Sequence, residues 1–259
     1  MILGHKNETV ICLVCALALM IMLCFTLCGN ANAESPFIET EGLSITSFID
    51  PTTENYRLME RQKLAHTMAD CARQLGYPED CEIIKIAKEE WNNCEAGIRE
   101  QLLETQYWMT KFEEYPYATY IWLFFTRQMG FSNEVTAGIM GNIMTEVGAN
   151  TLNIQYWLYS YNGGYYYGIC QWAKNYFPDV RGMDLIGQVN YLAQNIETQI
   201  TAFGKMYKTD TAYQQFLDST NCRESALMFA KWYEACAEST YYIRQNNAEK
   251  AYEYFVGVD

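Results

Sequence analysis

The stretch GIMGNIMTEVG, Gly138 to Gly148, constrains the fold more than any other part of the chain. It reads as a helix with Ser132 as its N-cap, yet Gly138 and Gly141 interrupt the helix interior. A glycine there costs roughly 1 kcal/mol relative to alanine. Two of them need a structural reason. Turning about 100° per residue from Val135 puts Ile139 at about 40°, Asn142 at about −20° and Glu146 at about 20°. Glu146 therefore lies in the apolar stripe. An ionised carboxylate is costly in such surroundings, the condition under which a carboxyl group keeps its proton near neutral pH and can act as a general acid. The alternative is a carboxylate exposed at a frayed helix end beside Gly148.

The flanking sequence predicts a mostly helical fold. PYATYIWLFFTRQMG opens with Pro116, which suits a helix start, and is apolar on nearly every side to Met129, as for a helix buried in mid-domain. Asn150 to Phe177 has no helical period and is crowded with aromatics around NGG, giving loops or a short antiparallel ribbon. Leu185, Val189, Leu192, Ile196 and Ile200 then mark an amphipathic helix. Asn221 and Glu224 form a capping-box pattern before another, and AEKAYEYF closes the chain. Upstream, helical spacing over Asn55–Gly76 and Glu79–Thr110 around the breaker GYPED predicts a helical hairpin. The organisation expected is a leader at 1–33, a linker at 34–55 rich in Pro, Ser and Thr, an accessory hairpin at 56–115 and a main domain at 116–259.

The leader carries His5 and Lys6, an apolar run from Val10 to Leu27, and Ala31 and Ala33 in an Ala-x-Ala cleavage pattern. It reads as a signal peptide or, since the run matches the length of a bilayer span, as a retained membrane anchor. Either places the rest of the chain outside the cytoplasm, with membrane contact only through an uncleaved leader. Six of the ten cysteines lie beyond it: Cys71, Cys81, Cys94, Cys170, Cys222 and Cys236. In an exported chain an even number suggests disulfides, and complete pairing would require one bridge between the halves before and after residue 115. Buried free thiols are the other expectation. A net charge of −13 with no basic run argues against a nucleic-acid partner.

Histidine limits the chemistry. The sequence has two, one of them in the leader, so His66 stands alone. Zinc hydrolysis and Ser-His or Cys-His nucleophilic catalysis lack their residues, and neither a metal nor a cofactor is expected. Carboxylates remain.

TAGIMGNIMTEVGAN followed by YGICQW resembles the phage-tail-type lysozyme domain, of the lysozyme-like superfamily that includes goose-type lysozymes and lytic transglycosylases. Ala137, Gly138, Ile139, Gly141, Asn142 and Glu146 match the first part of that family's pattern, and Gly168, Ile169, Gln171 and Trp172 match the second. LIGQVNYL and ALMFAKWYE resemble its downstream helices. The resemblance covers about residues 116 to 256. It implies a lysozyme-like helical domain acting on peptidoglycan glycan strands, with Glu146 protonating the glycosidic oxygen. It also implies that Gly138 and Gly141 let neighbouring elements approach a central helix.

Gln171 and Asn142 become substrate-binding candidates, as do Trp157, Tyr161, Tyr167 and Trp172, whose rings suit the apolar faces of sugars. Asp179 or Asp184 could supply the second carboxylate of a hydrolase; a transglycosylase needs one acid/base only. Val147 stands where the family has Ser, and Cys170 where the residue is often small. The alternatives are a catalytically silent wall-binding or assembly module on the same fold, or a wall-opening component of a conjugation or secretion system.

Overall fold

The computed structural model describes residues 43–49, 52–160 and 164–257. The leader at 1–33 lies outside the described residues, as does much of the 34–55 stretch. The part of that stretch that is described is no free linker. A single helical turn, α1 (Thr46–Ile49), follows Leu43 and Ile45, and Leu43, Ile45 and Ile49 are buried in the main core. Phe48 meets the rings of Tyr120 and Phe124 edge-on at 5.4 and 6.5 Å. Apolar residues spaced too sparsely to reveal a helical period carry this packing.

The hairpin follows. Helix α2 (Thr52–Gln74) packs against α3 (Glu82–Glu114) through Leu58, Ala65, Ala69 and Ala72 on one side and Ile84, Ala87 and Cys94 on the other. Small residues at turn spacing let two polar helices approach closely. Helix α3, about 50 Å long at 1.5 Å per residue, outlasts its partner. Its last turns join the main core, with Trp108 stacked 6.3 Å from Phe255, Tyr107 Oη donating to Phe255 O at 2.7 Å and Lys111 Nζ to Tyr254 O at 2.8 Å. The predicted boundary at 115/116 thus cuts a helix pair whose two sides share one core.

Pro116 opens α4 (Pro116–Leu123), buried from Ala118 onward, which runs into a π-helical turn at Phe124–Gln128. Helix α5 (Asn133–Val147) carries the opening stretch. Ser132 caps it, its hydroxyl accepting from Val135 N at 3.2 Å, and every residue from Val135 to Met144 is buried. The aromatic stretch forms a small antiparallel sheet of β1 (Tyr159–Ser160), β2 (Tyr166–Tyr167) and β3 (Trp172–Ala173) in that order, Tyr159 opposite Tyr167 and Tyr167 opposite Trp172. Then come α6 (Leu185–Met206), α7 (Ala212–Leu217) and α8 (Cys222–Phe229), which runs into a second π-helical turn at Ala230–Glu234. Helix α9 (Tyr241–Val256) ends the fold. Asn221 caps α8, accepting from Arg223 N and Glu224 N at 2.9 and 3.1 Å.

The two glycines now have their reason. A Cβ on Gly138 would stand 2.7 Å from Ala226 N in α8, and one on Gly141 would stand 2.6 Å from Ala248 N in α9. Both are closer than any real Cβ contact, so α8 and α9 lie directly on the backbone of α5. Among the described residues no helix is long and apolar enough to cross a membrane.

Candidate active site

The close approach at Gly141 sets the site, because it brings the first turn of α9 alongside the last turn of α5. Arg244 of α9 enters the interior with its side chain only 3% exposed. Asn142 receives it: Oδ1 accepts from Arg244 Nη1 at 2.9 Å, while Nδ2 donates to Gly138 O at 2.9 Å and to Ala226 O at 3.0 Å. The other terminal nitrogen, Nη2, pairs with Glu146 Oε1. Nε donates to Thr240 Oγ1 at 3.2 Å. A planar guanidinium suits this division of labour, since its donors fork in fixed directions.

A second carboxylate shares the pocket. Glu234 ends the π-helical turn after α8, and its Oε2 lies 3.8 Å from Arg244 Nη1. Its side chain is 5% exposed, against 21% for Glu146. Ala235 follows in the left-handed region at φ +48°. Such turns and conformations are costly and cluster at functional positions. Burial raises the Glu234 carboxyl well above the usual carboxylate range; the charge of Glu146 adds to the rise, and Arg244 opposes it. The guanidinium of Arg244 is held above its ordinary value, burial being outweighed by Glu234 and Glu146.

The YGICQW segment delivers Cys170 here. Gly168 at φ +79° and Gln171 at φ +46° fold it into a tight turn. A Cβ at Gly168 would strike the Gln188 amide, whose Oε1 accepts from Ile169 N at 2.9 Å. Gln188 Nε2 donates to Tyr156 O and Met183 O at 3.0 and 2.9 Å, pinning the turn to α6. Cys170 is thereby buried beside Glu234, and burial, with the charge of Glu234 adding to it, raises that thiol well above its ordinary value. Burial does the same to the phenol of Tyr233, whose hydroxyl accepts from Trp172 Nε1 at 3.1 Å.

The expected site residues thus separate. Asn142 is fully buried and committed to the helix junction, so it orients Arg244 and is not open to a glycan. Gln171 donates to Leu158 O and Gly168 O at 3.1 and 3.0 Å and accepts from Ser160 Oγ, closing the small sheet. Trp172 and Tyr167 are buried, and Tyr167 Oη donates to Met183 O at 2.9 Å. These three hold the turn from within. Trp157 is 49% exposed, edge-on to Tyr117 and Tyr156, and keeps an open ring face. Tyr161 lies outside the described residues.

Neither Asp179 nor Asp184 joins Glu146. Asp179 sits exposed in a 3-10 turn at Pro178–Val180, and Asp184 caps α6 by accepting from Gly187 N at 2.8 Å. The carboxylate that does join is Glu234, and the cation that holds both is Arg244. Sequence reasoning named neither, although a signal existed: Arg244 shares the stripe of Ala248, Ala251 and Phe255, and Glu234 lies one turn beyond Ala230.

The environment of Glu146 also differs from expectation, for it faces a guanidinium as well as apolar packing. The six described cysteines are free thiols, so the bridge between the halves that complete pairing would require is not formed. Cys94 is buried in the hairpin seam and Cys170 faces Glu234. Among the described residues no cluster of His, Cys, Asp and Glu side chains is arranged to hold a metal ion.

The geometry is that of a half-open carboxylate backed by a buried acid and a buried cation at the end of a central helix. The family model of phage tail lysozyme matches residues 116–255. The chain belongs to the phage tail lysozyme family. In this family member, Val147 is buried in the core beside Glu146. No curated protein and no solved structure matches the chain.

Proposed function

We propose that the protein is an exported enzyme that cleaves glycosidic bonds in peptidoglycan glycan strands, with Glu146 as the general acid. Membership of the phage tail lysozyme family supports a peptidoglycan-lytic function. The observation that carries the finer assignment is the position of Glu146: partly exposed at the end of an otherwise buried helix and held from behind by Arg244. The apolar run and Ala-x-Ala pattern of residues 1–33 support export.

In this reading Glu146 protonates the glycosidic oxygen, the bond to the anomeric carbon breaks, and the leaving sugar departs with the proton. The glycosyl cation is then captured by an oxygen nucleophile that gives its proton to the Glu146 carboxylate. Two-carboxylate glycosidases place their groups about 5–5.5 Å or 6.5–9.5 Å apart, flanking the sugar. Glu234 shares Arg244 with Glu146 and is only 5% exposed, so it does not flank a sugar. That favours capture by a hydroxyl of the substrate itself, the route that needs a single acid/base. Trp157 offers an open aromatic face for a sugar ring.

The test is mass spectrometry of products from purified peptidoglycan, run with the protein and with Glu146→Gln. Anhydro-sugar ends that vanish in the variant support transglycosylation by Glu146, and reducing ends that vanish support hydrolysis. Binding without products from the wild-type protein would discard the enzymatic reading in favour of a wall-binding module.

A further inference from the structure

The group of charges behind Glu146 is unusual in its accounting. With both carboxylates ionised, two negative charges would share one guanidinium in a space where Glu234 and Arg244 are almost entirely sealed from water. Two carboxyl groups that share one guanidinium in such a dry space cannot both be ionised at low cost. One proton neutralises the set.

The geometry says where it rests. Glu146 Oε1 has the direct ion pair with Arg244 Nη2, whereas Glu234 reaches Nη1 only at 3.8 Å, and Asn142 Oδ1 already occupies that nitrogen at 2.9 Å. Glu234 Oε1 is buried with no donor to accept from. Such an oxygen is expensive as part of a carboxylate, while a carboxylic acid both sheds that charge and gains a hydrogen to donate. The other titratable groups around Glu234 are Cys170 from the YGICQW turn, Tyr233 from its own turn, and Cys236 just beyond it. None carries positive charge.

On the footing that Glu146 is the glycosidic acid, we propose that Glu234 is a positioning residue that stores the acid proton, passing it to Glu146 during bond cleavage and taking it back afterwards. In the resting state Glu234 is COOH and Glu146 is the carboxylate paired to Arg244. As substrate seats, the Glu234 O–H bond breaks and a Glu146 O–H bond forms. Glu146 then gives this proton to the glycosidic oxygen as the bond to the anomeric carbon breaks. The attacking hydroxyl, from water or the sugar, loses its proton to Glu146, which returns it to Glu234. No net proton, electron or co-reactant is consumed. The arrangement solves a problem that the Arg244 contact creates: an acid residue paired with a cation needs a proton source that solvent at neutral pH supplies poorly.

The pH dependence follows with a definite sign. Burial and the charge of Glu146 raise the Glu234 carboxyl, so the proton is held to higher pH than on an ordinary carboxyl, and activity falls as pH rises through that raised range. In Glu234→Gln the amide has no acid proton to give, Glu146 must be recharged from solvent, and the alkaline fall moves to lower pH.

The experiment compares the wild-type protein, Glu146→Gln and Glu234→Gln on soluble glycan fragments of peptidoglycan across the pH range, with infrared spectra of the carboxyl region at neutral pH. Expected for Glu234→Gln are a kcat at neutral pH lower by tenfold or more, a KM within about twofold, an alkaline limb displaced toward acid, and loss of one protonated-carboxyl band. Glu234→Asp, which keeps an acid on a shorter arm, should restore part of the neutral-pH rate, and it carries the test should the Gln variant fail to fold. An inactive Glu146→Gln beside a Glu234→Gln whose pH profile matches wild type overturns the storage role and leaves the acid assignment standing. An active Glu146→Gln overturns the acid assignment itself, and the storage role with it.

Discussion

The hairpin of α2 and α3 and the body built around α5 use the same ingredients, helices, glycines and ion pairs, to different ends. In the hairpin, Arg61 meets Glu90 at 2.7 Å and Arg73 meets Glu79 at 2.6 Å, with every one of these side chains at least a third exposed. Water and salt screen such pairs, and holding long side chains in place offsets much of their attraction. In the body, Arg244 and Glu234 are sealed from solvent. A buried set of this kind is a poor means of stabilisation, because desolvation consumes most of the Coulombic gain. Its presence at the end of the central helix is better explained by chemistry. The hairpin is held by surface and small-residue packing; the body spends stability on a charged site.

The largest break in this contrast should come from Arg244→Ala. It leaves Glu146 and Glu234 facing one another without a cation, and loss of one partner from a buried set costs on the order of 3–5 kcal/mol. Thermal or urea unfolding measures it. The loss should shrink toward acid pH, where both carboxyls are protonated, and a loss that is constant with pH would point to packing alone. Arg61→Ala in the hairpin, which removes an exposed pair, should cost less than about 1 kcal/mol.

Next in size is Gly141→Ala. Its new methyl would meet backbone of α9, including Ala248 N at 2.6 Å, and backbone cannot rotate away as a side chain can. Overpacking of this kind costs about 1–3 kcal/mol, and it would push Arg244 outward on the helix that must shift. Activity should therefore fall more than stability does. A variant with lowered melting temperature and unaltered turnover would show that the Arg244 contact tolerates the shift.

Much of this fold is legible in the sequence because local rules and global packing agree. Ser132 and Asn221 announce helix starts by their own capping chemistry, and the Leu185–Ile200 stripe announces an amphipathic helix by its period. The glycines of α5 are legible as an anomaly, and the family resemblance supplies the expectation of close approach. The interior of the site is less legible. Asn142, Gln171 and Trp172 belong to the motif, yet that identifies them as necessary without saying whether they touch substrate or hold the turn from behind. Glu234 and Arg244 reach Glu146 across about 90 residues of sequence, through a helix crossing that a one-dimensional pattern does not encode. The π-helical turn at Ala230–Glu234 also alters the angular register on which a stripe argument depends. Leu43, Ile45 and Ile49 were obscured for another reason: segments that pack without regular periodicity resemble linkers in composition.

The smallest expected effect tests the hairpin with the body's own substitution. Gly97 lies within α3, and a Cβ there would approach Leu58 Cδ1 at 3.1 Å. That atom is the far end of a side chain, so a small rotation relieves the contact, at a cost set against the roughly 1 kcal/mol that alanine gains over glycine in a helix interior. Gly97→Ala should accordingly change stability by less than about 0.5 kcal/mol, on the stabilising side, and leave turnover unchanged. Chemical denaturation of Gly97→Ala and Gly141→Ala side by side measures the difference between the regions. Should Gly97→Ala lose as much as Gly141→Ala, the seam of α2 and α3 is as unforgiving as the contact of α5 with α9. The hairpin would then be a rigid arm fixed to the body through the last turns of α3.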